Sequence, residues 1–292
     1  MFGIFDIYFL EAIIDGLLLG GVFALLALGL NLVFGVIDVV WICYGELIMF
    51  GMYGMYFLYV TYHLPLLVAA AICIAGVGFL GVLLHLVVIQ PLLGTAPINQ
   101  LLATGGVLFF LQSAATVMFG IDFHNLGIRL PVLGVWGMYV SYARLLAFGA
   151  ALAGMLGLYM FLARSYTGAA IRAIAQDRQI MPLMGVDTRK IYIVTSLIGG
   201  ALAGLAACLL VLQYDVQPFV GLTFAPITFL IVVLGGLGNT IGGFVAAFLF
   251  AVWVLGLALK VTTGLVHVAL VAAVVLFVLD VFRRRPPTTV GS

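Results

Sequence analysis

Charge is what this chain has least of. Asp, Glu, Lys and Arg make up 7% of its 292 residues, where a soluble domain carries roughly 25%. Hydrophobic residues make up 66%, and the mean hydropathy is +1.35. No soluble fold of this length hides that much apolar surface, so the composition specifies a multi-span membrane protein. Lysine is scarcer still: only Lys190 and Lys260 occur, and neither follows a glycine. A phosphate-cradling Gly-x-x-x-x-Gly-Lys-Ser/Thr loop is therefore missing, and the chain cannot hold ATP in that way. His-Glu-x-x-His and Gly-x-Ser-x-Gly are also absent, which disfavours an intramembrane hydrolase. Cys43, Cys73 and Cys208 fall singly in apolar segments, without metal or disulfide spacing, and read as buried thiols. A net charge of +1 offers nucleic acid no basic surface. The first residues are acidic (Asp6, Glu11, Asp15) and lack the basic start of a cleavable signal, so the first apolar segment is expected to be a retained span.

Glycine and apolar length are what the chain has in abundance. Its 36 glycines suggest close helix crossings, because small residues let backbones approach. A span needs roughly 20 apolar residues. Candidates run over 12–34, 44–62, 66–89, 101–119, 141–163, 191–214, 224–237, 242–259 and 263–282. The seventh is short and merges into the eighth through Gly235-Gly236-Leu237-Gly238-Asn239, so eight or nine crossings are expected. The expected fold is all-α: a polytopic transmembrane helical bundle with broken Gly-rich helices. It forms one domain over 1–285, followed by a short cytoplasmic tail at 286–292. Two glycine-rich stretches, Gly16 to Gly21 and Gly199 to Gly204, resemble each other loosely, as paired halves of transporters do.

One polar island interrupts the apolar chain, at 164–190. It carries Arg164, Arg172, Arg178, Arg189 and Lys190. Short basic loops stay in the cytoplasm, so the island sets the orientation. With nine crossings, the Arg283-Arg284-Arg285 triplet also falls inside, while Arg129, Arg144 and Lys260 fall outside with the acidic N-terminus. Eight crossings place the N-terminus inside. Residues 169–179 have helix-forming composition without Gly or Pro, and are too short and polar to span. A short helix there, ended by Pro182 and Gly185, is suited to dock a partner from below. On the other side, the loop over 120–140 carries Asp122, His124, Asn125 and Arg129 and reads as polar and irregular. It is either a receiving surface or a plain solvated connection.

Within the spans, ionisable residues are few. Glu46 follows Cys43-Tyr44-Gly45 at the mouth of an apolar helix. A carboxylate there is costly unless solvated, protonated or paired. It lines a pathway or locks helix geometry near the cytoplasmic side, or else it caps its helix, since acids favour the first turn. His85 and His267 also lie at membrane depth, each either functional or bonded to a neighbouring helix. Asp38 reads as plain loop. The glycine runs Gly105-Gly106, Gly199-Gly200 and Gly235-Gly236-x-Gly238 either unwind helices beside a path or mark close crossings. Tyr44, Glu46, Gly105, Gly235 and Gly236 are the resulting pathway candidates.

With these residues in view, the chain resembles the membrane permease subunits of branched-chain amino acid ABC importers, a group that also moves urea, amides and organic acids. The likeness spans about 15–280. It is carried by the Gly-rich stretch over 16–46 ending in Gly45-Glu46, by the island with Tyr166-Thr167-Gly168-Ala169-Ala170-Ile171-Arg172-Ala173, Gln176-Asp177 and Gly185-Val186, and by Leu234-Gly235-Gly236-Leu237-Gly238-Asn239 followed by Ile241-Gly242-Gly243. Two places depart from the family pattern. Cys43-Tyr44 stands where relatives have a small residue then His. Gln90-Pro91-Leu92-Leu93-Gly94 lacks the cations relatives often carry after the third span.

The resemblance implies a transport subunit, not an enzyme, in a bacterial inner membrane with its C-terminus cytoplasmic. It implies a coupling helix that docks on an ATPase through Gly168, Arg172, Ala173, Gln176, Asp177 and Gly185. It further implies a second permease subunit, alike or different, two P-loop ATPases that bind ATP and Mg²⁺, a periplasmic substrate-binding protein, and no cofactor in this chain. The rivals are an ion-coupled secondary carrier and a passive channel, both working without an ATPase. The scarcity of intramembrane ionisable relays weighs against the first, and the absence of paired Asn-Pro-Ala turns against an aquaporin-like form of the second.

Overall fold

The computed structural model describes residues 2–128, 131–135, 138–178 and 181–235. The expected spans over 242–259 and 263–282 lie outside those residues. So do Gly236, His267 and the Arg283-Arg284-Arg285 triplet with the tail. The fold is an all-α polytopic bundle. Its long apolar helices are α1 (Phe2–Ile37), α3 (Leu66–Leu84), α5 (Pro97–Phe119), α6 (Tyr142–Arg164) and α8 (Thr188–Leu210), and each contains a stretch long and apolar enough to cross a membrane. The 23 residues of α8 reach about 35 Å, slightly more than the ~30 Å hydrocarbon layer. The remaining helices are α2 (Tyr44–Tyr56), the single turn α4 (Gln90–Leu92), α7 (Tyr166–Gln176) and α9 (Val220–Gly235).

Ion pairs fix how the helices run. Near the start of the apolar stretch of α1, which runs Ile14–Ile37, Asp15 pairs with Arg144 at the start of α6. Just past its end, Asp38 pairs with Arg178, which follows α7. Both α1 and α6 therefore run toward the island, and α8 runs away from it. The connection before α6 is more ordered than its composition suggested. Strands β1 (Val132–Val135) and β2 (Met138–Ser141) pair antiparallel. Val132, Val135 and Val140 supply the β-branched residues that favour strands.

Neither α2 nor α9 starts where a full span would. After α1, Asp38 turns the chain in a left-handed conformation (φ 60°). Residues 39–43 then run back into the bundle without regular structure, with Val39, Trp41 and Cys43 buried. Tyr44, the first residue of α2, donates its hydroxyl to the Gly199 carbonyl at 3.1 Å, at the middle of α8. The second half of the chain repeats this arrangement. After α8, residues 211–219 turn back, and α9 begins with Gly221 lying against Gly45.

The Gly45–Gly221 contact is reciprocal. A Cβ on Gly45 would lie 2.6 Å from the Gly221 oxygen, and one on Gly221 would lie 2.7 Å from the Gly45 oxygen. Gly29 and Gly199 repeat this reciprocity, at 3.3 Å each way. The units α1–elbow–α2 and α8–elbow–α9 thus meet through matching glycines, an arrangement that inverted repeats of transporters also use. The structure pairs Gly199 with Gly29, not with the Gly16 to Gly21 stretch that resembled it in sequence. Gly199-Gly200 also lies inside a continuous helix, and so does Gly105-Gly106. Gly78, Gly81, Gly200 and Gly204 let α3 and α8 cross closely. The irregular turns fall elsewhere, in π-helical segments at Phe57–Thr61 and His85–Ile89. Glycine here brings helices together instead of breaking them.

Candidate functional site

Glu46 occupies the point where the two elbows meet. It sits in the first turn of α2 and is fully buried. Its Oε1 accepts a hydrogen bond from Gln112 Nε2 of α5 at 3.0 Å and lies 2.8 Å from where a Gly221 Cβ would be. Among the described residues, its Oε2 has no hydrogen-bond partner. The first turns of α2 and α9 converge beside this carboxylate, and the positive ends of both helix dipoles favour its charge. Glu46 is a first-turn acid, and its carboxylate also reaches across to another helix.

The helix α5 attaches to this centre through polar side chains. Gln100, Thr104 and Gln112 are buried at i, i+4 and i+12. Thr104 donates to the Val40 carbonyl in the first elbow at 3.0 Å. Gln100 donates to the carbonyls of Leu92 and Thr95 at 3.3 and 3.2 Å. The reading of the sequence missed Gln112 and Thr104, although three polar residues at helical spacing in an apolar span were the available signal. Gly105 is half-buried, with nothing among the described residues within 4 Å of a Cβ built there, and Gly235 is the last described residue of α9. Tyr44 is buried and locks α2 to α8. Of the pathway candidates, then, the structure brings only Tyr44 and Glu46 together, while Gly236 lies outside the described residues. His85 is buried beside Tyr192, ring centroids 6.4 Å apart, and neither ring nitrogen has a hydrogen-bond partner among the described residues.

Aromatic rings close the bundle at the end away from the island. Tyr53 stacks on Phe119 (4.3 Å between centroids), Phe57 packs on Phe119 (5.2 Å) and Tyr56 stacks on His124 (4.7 Å). His124 also pairs through its backbone with Val216 of the second elbow.

At the opposite end the island forms α7. It starts at Tyr166, three residues earlier than its composition suggested, because Ser165 caps it by accepting from the Gly168 amide at 2.9 Å. It stops at Gln176, ahead of the expected 179, where Asp177 turns extended. Arg172 folds back to donate to the Leu162 carbonyl. Gly168, Ala170, Ile171 and Ile174 are buried against the bundle, and Tyr166, Ala169, Arg172 and Gln176 face outward. Gly168 is therefore enclosed between α6 and α7. A Cβ there would lie 2.6 Å from the Leu162 Cα, so its role is the tight elbow between α6 and α7. Arg172, Gln176 and Asp177 are exposed, Ala173 is half-buried, and Gly185 is exposed with φ 77°. Asp187 caps α8. The Lys190 ammonium at 3.3 Å and the Lys190 amide hold its carboxyl below the usual carboxylate range. Across the α3–α8 end, the Gln90 carboxamide oxygen, oriented toward Arg189, accepts from Nε and Nη2 at 2.9 and 3.0 Å.

Among the described residues, no group of three His, Cys, Asp or Glu is placed to hold a metal ion. The sequence profile of the branched-chain amino acid transport system permease component family matches residues 12–279. The chain is 32% identical over 262 residues to the high-affinity branched-chain amino acid transport system permease protein BraD of Pseudomonas aeruginosa, covering 84% of this chain and 85% of that protein. It is 26% identical over 275 residues to the LivH permease proteins of Salmonella typhimurium and Escherichia coli, at the same coverage. No solved structure matches. Its spans, its convergent elbows and these relatives agree: the chain is a multi-pass transport subunit that belongs to the branched-chain amino acid transport system permease family.

Proposed function

We propose that this chain is one of two permease subunits in an ATP-driven importer of a small polar solute, either branched-chain amino acids or a related amino acid or amide, across a bacterial inner membrane. The observation that carries this reading is α7. It is an amphipathic helix outside the spans, with its apolar face packed on the bundle and Tyr166, Arg172 and Gln176 presented outward. Two P-loop ATPases would dock there and bind the ATP and Mg²⁺ for which this chain has no loop. A periplasmic binding protein would deliver solute at the β1–β2 face. The C-terminus would lie in the cytoplasm, and the permease itself would carry no cofactor.

In this mechanism, ATP binding draws the two docking helices together and switches the cavity from inward-facing to outward-facing. Hydrolysis resets it. The switch is driven by the difference in the partners' affinity for the two states. Arg172, Ala173, Gln176, Asp177 and Gly185 would contribute to docking, and the elbow centre around Tyr44 and Glu46 would border the path.

The test is a pull-down of tagged permease from detergent, with copurified subunits identified by mass and assayed for ATPase activity. The expected result is a P-loop ATPase that is lost when Tyr166, Arg172 and Gln176 are all replaced by Asp. A permease that purifies alone and moves solute in vesicles without ATP would sink the importer reading and leave a carrier or channel in its place.

A further inference from the structure

Two side chains outside the docking face join the island to the first elbow. Arg178 lies two residues past the end of α7. Its Nη1 is 3.1 Å from Asp38 Oδ2 and 3.4 Å from the Ile37 carbonyl, where a cation suits the negative end of α1. Asp38 is the residue whose left-handed backbone starts the elbow.

From Asp38 to Glu46 the chain has no slack. Val39, Trp41 and Cys43 are buried. Thr104 holds the Val40 carbonyl, Gly199 holds the Tyr44 hydroxyl and Gln112 holds Glu46. The other end of α7 is tied to α6 through Ser165, Gly168 and Arg172. A displacement of α7 therefore has two ways into the bundle, one through α6 and one through Arg178 and Asp38. The second leads to the convergence of the two elbows.

We infer that the Arg178–Asp38 pair is a strut that delivers movement of the docking helix to the first elbow, and through it to the Glu46–Gln112 contact between α2 and α5. Both residues are positioning residues of the transport cycle. The inference rests on α7 being the ATPase-docking helix. The pair is partly exposed, at 34% and 60% for the two side chains, so it contributes little to stability. A contact of that kind breaks and re-forms within a cycle without unfolding the helices it joins.

The experiment uses the complete importer, reconstituted in liposomes with its copurifying subunits. It measures ATPase copurification, ATP hydrolysis and solute uptake for Asp38→Asn, Arg178→Gln and Arg178→Lys. Asn tolerates the left-handed backbone, so the first variant removes charge alone. The expected result is normal copurification and continued hydrolysis for all three. Uptake per ATP should fall about tenfold in Asp38→Asn and Arg178→Gln, and Arg178→Lys should recover at least half of it. Wild-type uptake per ATP in both charge-removing variants would overturn the strut. So would loss of the ATPase in Arg178→Gln alone, which would make Arg178 a docking residue. A wild-type permease that retains no ATPase would instead overturn the importer reading itself, and is read before any variant.

Discussion

The glycines of the bundle centre and those of α5 are the same residue in two different situations. At the centre, Gly45, Gly221, Gly199 and Gly200 face backbone or side-chain atoms that leave no room for a methyl group. On α5, Gly105 and Gly106 face open space among the described residues. The helices around them differ in the same way. About three-quarters of the α1 stretch is buried, but less than a third of α5 and less than a fifth of α6. The centre is held by close backbone contact and a few buried polar bonds. The periphery leaves Leu102, Phe109, Phe110 and Tyr159 exposed on apolar faces, suited to lipid or to another subunit.

Substitutions can break or sharpen that contrast. The largest effect is expected from Gly45→Val. Its side chain would enter the Gly221 backbone, where overpacking costs typically 1–3 kcal/mol or more. The variant should disappear from the folded membrane fraction by detergent size-exclusion, and a monodisperse peak with wild-type melting would show that the crossing is not tight. Next is Glu46→Ala, which leaves the buried Gln112 amide without an acceptor at a cost of about 1–3 kcal/mol. Glu46→Gln keeps an acceptor and should melt close to wild type, so equal melting of the Ala and Gln variants would contradict the hydrogen bond.

Gly168→Ala should leave the spans intact but loosen the α6–α7 elbow, reducing ATPase copurification severalfold. Unchanged copurification would place Gly168 outside the docking apparatus altogether. Gly105→Ala should have the smallest effect on stability, at most a gain of about 1 kcal/mol from helix propensity. A clear loss of thermal stability in the isolated chain would show that the space beside Gly105 is filled.

A pH effect belongs to the rim of the bundle. The Asp187 carboxyl is held low in the folded state, so its contribution is present at neutral pH. That contribution fades as the pH falls through its folded-state value. Amide exchange in the first turn of α8 should rise on acidification, and Asp187→Asn should remove the dependence.

Much of this was legible in the sequence. Apolar length gave the five long spans and the basic island gave a short helix outside them, but the Ser165 cap that starts α7 at Tyr166 went unread and the direction of α1 stayed open between eight and nine crossings. The elbows were not legible, for a physical reason. The segment over 38–43 is as apolar as a span, so hydropathy cannot tell a chain crossing the membrane from one turning back within it. What marks the turn is Asp38 with its left-handed backbone, and the partners of that turn lie far away in the chain. Likewise, a glycine pair reads the same whether its neighbour is another backbone, as at Gly199-Gly200, or open space, as at Gly105-Gly106. Gly168 entered the docking set through the family resemblance alone, and its burial against Leu162 depends on the α6–α7 elbow, which no local pattern in the sequence displays.

The distance between partners in the chain also bears on how the protein is made. Tyr44 and Gly199 are 155 residues apart, and Glu46 and Gln112 are 66 apart. At roughly 5–20 residues per second, the first elbow leaves the ribosome some 10–30 s before α8 exists to receive its hydroxyl. Over that interval a carboxylate and an unwound backbone must be sheltered by the insertion machinery or held at the membrane surface. The first half-helix can settle to its final depth only after the second unit has arrived.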